Sequence, residues 1–141
     1  MTRLRILVCD DDCDVLYWLE KQLFPRGIEV LSTYSGDEAM CIYRRERRFD
    51  LVLTDYQFGR GQEIKDGLDL VAAIRKIDQN QKVVMHTSDP ELRAPCPVLV
   101  KPYPLPQLLR LLRSPIPQLL SGPLNRGRAI AGEVFQKESA C

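Results

Sequence analysis

Five short apolar runs recur along this chain of 141 residues, and all but the second lead straight into a charged or hydroxyl side chain. The runs are RILVC (5–9), IEVLSTY (28–34), FDLVLTD (49–55), KVVMHT (82–87) and VLVK (98–101). Continuous runs rich in Val, Ile and Leu suit strands covered on both faces. Segments of helical period lie between them. VLYWLEKQLF (15–24) carries Val15, Leu16, Leu19 and Leu23, and SGDEAMCIYRRERR (35–48) opens on a capping Ser or Asp with early acids and late arginines. LDLVAAIRKI (68–77) and LPQLLRLLR (105–113) restore the same period, the latter with a proline tolerable in a first turn. Strand and helix alternating in this way predict an α/β, doubly wound, five-stranded parallel sheet of order 2-1-3-4-5. Three prolines in SDPELRAPCP (88–97) leave room for about one helical turn, so the fourth helix is expected to be shortened or absent.

In such a sheet, ligands bind outside the carboxyl ends of the strands. That rule gathers Asp10 and Asp11 after strand one, Asp55 after strand three, Thr87 after strand four and Lys101 after strand five at one rim. Strands one and three are neighbours in this order, so their three carboxylates should stand within a few ångströms. Acids that close do not all ionise cheaply without a cation, and an all-oxygen site suits Mg²⁺ (or Mn²⁺). A hard ion among acids, a hydroxyl and a lysine is also equipment for handling a phosphoryl group.

The formal charge of +1 gives no basic excess of the kind that neutralises nucleic acid backbones. Five cysteines without a C-x-x-C pair suggest neither a disulfide framework nor a zinc knuckle, and reduced thiols are expected. No apolar stretch approaches a membrane span. A cytoplasmic location with no membrane and no direct nucleic acid partner is the expectation. Residues 1–113 read as one domain. Residues 114–141 read as a tail with a short helix near 128–138, whose Ile130, Ala131, Val134 and Phe135 would cover strand surface left bare by the missing fourth helix.

Taken in order, ILVCDD, LVLTD, VVMHTS and LVKPY, with DGLDL opening the third helix, resemble the receiver domain of two-component response regulators over roughly residues 4 to 113. The resemblance implies a flavodoxin-like fold and a signalling module rather than an enzyme acting on other molecules. It implies that Asp55 accepts a phosphoryl group from a sensor histidine kinase or a histidine phosphotransfer protein. Asp11, Asp55 and the backbone carbonyl of Gln57 would ligate Mg²⁺, with Asp10 acting through water; Lys101 would pair with the phosphoryl oxygens and Thr87 would donate its hydroxyl to them. Gln57 and Asp89 would flank the path of the water that removes the group. The downstream partner is a protein the sequence does not name, and dimerisation stays open.

Two departures stand out: the loop YQFGRGQEIKDG (56–67) is about four residues longer than the family's usual one, and Val98 occupies a position usually aromatic. A receiver-like scaffold that binds partners without phosphorylation is the alternative, favoured by the missing helix. A haloacid-dehalogenase-like phosphohydrolase is a remote one, since beyond Lys101 the only acids are Glu133 and Glu138. Asp12 and Asp14 read as helix caps. His86, the only histidine, reads as a strand residue packed under a helix, and Trp18 as helix packing.

Overall fold

The computed structural model describes residues 3–58, 63–114 and 122–123. Its strands are β1 (Leu4–Cys9), β2 (Ile28–Thr33), β3 (Leu51–Asp55), β4 (Val83–Thr87), β5 (Pro97–Val100) and the two-residue β6 (Gly122–Pro123). Its helices are α1 (Cys13–Leu23), α2 (Gly36–Glu46), α3 (Gly67–Ile77) and α4 (Leu105–Arg113). Every ladder is parallel, in the order β2-β1-β3-β4-β5-β6. The five-stranded core matches the order expected from the sequence, and β6 extends its β5 edge.

Side chains alternate across the sheet, so each strand feeds two cores. On one face Ile6, Val8, Leu51, Leu53, Val84 and Leu99 meet Val15, Leu16 and Leu19 of α1 and Leu105, Leu108 and Leu112 of α4. On the other, Leu7, Val52, Val83, Met85 and Val98 meet Met40 and Tyr43 of α2 and Leu70, Val71 and Ile74 of α3. Asp12 caps α1 by accepting the Asp14 N–H, Ser35 caps α2 and Asp66 caps α3, each satisfying a donor that the helix leaves open.

No helix joins β4 to β5, and the connection covers part of the gap by itself. Leu92, Ala94 and Cys96 are buried in the α2/α3 core, and Arg75 of α3 donates to the Pro95 carbonyl at 2.8 Å. The expectation of a bare strand surface waiting for the tail is corrected to that extent; the helix expected near 128–138 lies outside the described residues. Leu92 should therefore behave as a core residue. Leu92→Ala is expected to lower unfolding stability by about 2 kcal/mol in urea denaturation, the usual cost of truncating a buried leucine.

The loop after β3 is also anchored. Gln57 and Asp66 form an antiparallel bridge, Phe58 is fully buried beside α2, and the Ile64 N–H is held by Asp37 at 2.9 Å. Phe58 and Ile64 thus tie the described parts of the loop to the N-terminal end of α2. Cys9, Cys41 and Cys96 are free thiols, as expected.

Candidate metal and phosphoryl site

Strand parity builds the site. Ile6, Val8 and then Asp10 follow one face out of β1, Leu51, Leu53 and Asp55 do so along β3, and Val84 and His86 along β4; Asp55 and His86 are register partners. At the rim where apolar cover stops, that row turns polar. One oxygen from each of Asp10, Asp11 and Asp55 comes within 4.8 Å of the others. Lys101 enters between two of them, its Nζ at 3.0 Å from Asp10 Oδ2 and 3.4 Å from Asp55 Oδ1. Its own N–H donates to the Thr87 carbonyl at 2.7 Å, which fixes the end of β5 beside β4.

Asp10 is fully buried and well held. Oδ1 accepts the Asp12 N–H at 2.8 Å, while Oδ2 faces Lys101 and lies 2.9 Å from His86 Nε2, an approach bent off the line of a straight hydrogen bond. Burial works to raise the pKa of this carboxyl, but His86, Lys101 and the Asp12 N–H outweigh it and bring it down to about 2. Burial holds His86 below its ordinary value. At pH 7 it is therefore a neutral neighbour, and Lys101 carries the positive charge.

Asp55 goes the other way. Burial first and the Asp10 charge second push it up to about 6, against the pull of Lys101 and of the Tyr56 N–H, which donates to Oδ1 at 2.8 Å. One ammonium between two carboxylates, with a third beside them, leaves negative charge unmatched. A convergent all-oxygen donor set short of positive charge is what Mg²⁺ fits, and Asp10, Asp11 and Asp55 are the side chains that would hold it.

The remaining expected residues lie along the same strand ends. Thr87 is buried, and its Oγ1 accepts the Asp89 N–H at 3.1 Å; Asp89 and Gln57 are exposed. Sequence reasoning missed two members. His86 is more than packing, since it joins Asp10 on one side and the Tyr103 hydroxyl on the other, at 2.8 Å from Nδ1. Tyr103, also fully buried, stands just before α4. The signal that finds His86 is period two, since it continues the row of Val84 in register with Asp55; Tyr103 lies past the end of β5, where no such period runs.

Comparison with known proteins agrees with this geometry. The family model for the response regulator receiver domain matches residues 6–96, ending just before Lys101. A response regulator receiver protein of Anaeromyxobacter sp. is 33% identical over 115 residues, 76% of this chain and 46% of its own. The transcriptional regulatory protein PrrA of Mycobacterium tuberculosis is 36% identical over 83 residues, 59% of this chain and 34% of its own. The chain thus spans between a third and a half of these relatives. Among solved structures, a Thermotoga maritima response regulator protein in complex with Mg²⁺ and a beryllium fluoride is 29% identical, with a TM-score of 0.55 over 61% of this chain and 70% of that one. The non-phosphorylated HemR receiver domain of Leptospira biflexa shares the fold at 24% identity, with a TM-score of 0.68 over 82% of this chain and 98% of that one. With the family match covering most of the chain and the acid cluster standing at the expected strand ends, this protein belongs to the response regulator receiver domain family.

Proposed function

We propose that the chain accepts a phosphoryl group on Asp55 in a Mg²⁺-dependent reaction and signals through protein–protein contact. The observation that carries this reading is the convergence of Asp10, Asp11 and Asp55 within 4.8 Å with Lys101 bridging two of them. The donor would be the phosphohistidine of a sensor histidine kinase or a histidine phosphotransfer protein. A carboxylate oxygen of Asp55 attacks phosphorus, the bond from phosphorus to the imidazole nitrogen breaks, and the histidine leaves with that electron pair. Bound Mg²⁺ would neutralise charge on the transferring group. Lys101 moves from the two acids to the phosphoryl oxygens as a point charge, and Thr87 exchanges the Asp89 N–H for a bond to phosphate, drawing its loop inward.

PrrA, matched along 34% of its own length, is named a transcriptional regulatory protein, whereas the Anaeromyxobacter relative is named a response regulator receiver protein. A cytoplasmic setting fits this partner class. Among the described residues no helix is long and apolar enough to cross a membrane. The phosphorylation-independent scaffold retains one supporting observation, the helix-free β4–β5 connection.

Beryllium fluoride with Mg²⁺ separates the two readings, because it imitates a phosphoryl group and needs both the metal and its acceptor. Calorimetry should show Mg²⁺ binding to wild type, followed by fluoride-complex binding that requires Mg²⁺. Lys101→Ala should keep Mg²⁺ affinity within about threefold yet weaken the fluoride complex by at least about tenfold, since the lysine answers the phosphoryl charge. Wild type that ignores the fluoride complex would favour the scaffold.

A further inference from the structure

His86 and Tyr103 form a buried polar pair that phosphoryl transfer does not require. Both are fully buried, and buried polar groups need partners. Oδ2 of the Asp10 carboxylate, facing Lys101 Nζ at 3.0 Å, is placed as an acceptor. Nε2 of His86, 2.9 Å from Asp10 Oδ2, therefore carries the ring proton, and Nδ1 accepts from the Tyr103 hydroxyl at 2.8 Å. Along this chain Tyr103 donates to His86, and the Nε2–H faces Asp10 Oδ2 at 2.9 Å without lying on the line of a hydrogen bond. Tyr103 also meets Trp18 of α1 edge-on at 6.0 Å and stands at the start of α4, so the chain ends in the packing of two helices.

The chain matters most when Lys101 moves. Lys101 shares Asp10 Oδ2 with His86 while also reaching Asp55. A phosphoryl group on Asp55 would draw the ammonium toward itself and so remove the Lys101 contact from Asp10 Oδ2. We propose that His86, braced by Tyr103, is a positioning residue that holds the Asp10 carboxylate in one orientation for the metal and remains its partner after Lys101 turns to the phosphoryl group. This inference rests on the phosphoacceptor reading for its consequence and on the hydrogen-bond direction for its structure, and the two parts are tested separately.

Nitrogen NMR of the metal-free protein at pH 7.5 addresses the second, and the single histidine makes its signals unambiguous. The expected result is a neutral ring protonated at Nε2, with Nδ1 losing its hydrogen-bonded signature in Tyr103→Phe. A ring protonated at Nδ1 overturns the proposal. Calorimetry with Mg²⁺ alone addresses the first. His86→Val should bind roughly tenfold more weakly or worse, as outer partners of metal ligands do, and His86→Gln, which keeps an N–H donor, should recover part of the loss. Tyr103→Phe keeps the ring packing and should lose several-fold, which carries the test should His86→Val fail to fold. Equal affinities in Tyr103→Phe, His86→Gln and wild type, with no loss in any folded variant, overturn the positioning role. Wild type that binds no Mg²⁺ would instead count against the phosphoacceptor reading, and the ring tautomer alone would then decide whether His86 holds Asp10.

Discussion

Asp55→Asn is expected to stabilise the metal-free protein at pH 7.5 by about 2 kcal/mol, although it removes the proposed phosphoacceptor. The Asp55 carboxyl titrates near 6 in the folded chain, against 3.8 ordinarily, because it is buried beside the Asp10 charge. A folded pKa raised in this way favours the native state fully below about 3.8 and loses that advantage as pH rises through 6. By pH 7.5 ionised Asp55 costs about 3 kcal/mol relative to the unfolded chain. Asparagine removes that cost but gives up the 3.4 Å contact with Lys101, so the net gain is smaller. Urea unfolding in chelator should show the gap between variant and wild type narrowing from pH 7.5 to pH 4. Saturating Mg²⁺ should reverse the order, since a ligand at 100 times its dissociation constant stabilises only the chain that binds it, by about 2.7 kcal/mol. Asp10 has the opposite sign: with its pKa brought down to about 2, it contributes stability above pH 4 that is lost as pH falls toward 2.

Gly67→Ala should damage fold and site together. A Cβ at this buried first residue of α3 would lie 2.2 Å from the Asp55 carbonyl oxygen and 3.0 Å from Met85 Cε. The nearer clash is with backbone, which is further fixed by the Gly67 N–H bond to the Tyr56 carbonyl at 2.7 Å. No side chain can swing away to relieve it. Overpacking of this kind costs about 2–3 kcal/mol, or roughly 10 °C in Tm for a chain of this size. Because the displaced atoms belong to Asp55, one of the acids that would hold the metal, Mg²⁺ affinity in calorimetry should fall by about tenfold as well. A variant that keeps wild-type Tm and affinity would show that the helix start and Asp55 are not coupled as the contact indicates.

Much of this arrangement was visible in residue order. Apolar runs broken by helical period define a parallel sheet, and the rule that ligands gather at carboxyl strand ends places Asp10, Asp11, Asp55 and Lys101 at one rim from residue order alone. Asp12 capping α1 followed from short-range chemistry alone. His86 was hidden because a lone histidine inside an apolar strand has the same local pattern whether it packs or hydrogen-bonds. Its role depends on Asp10 and Tyr103, which are 76 residues before it and 17 after it. Burial of Leu92, Ala94 and Cys96 was hidden for a similar reason, since single apolar residues among prolines carry no period to read. The fit of Phe58 beside α2 depends on a loop path that no local rule specifies.

The central claim is that Asp55 takes a phosphoryl group, and intact mass measures it most directly. Wild type incubated with Mg²⁺ and acetyl phosphate should gain the mass of one phosphoryl group, whereas wild type chelated before the phosphodonor is added, and Asp55→Asn, should show no gain. An unchanged wild-type mass, or an equal gain in Asp55→Asn, would contradict it.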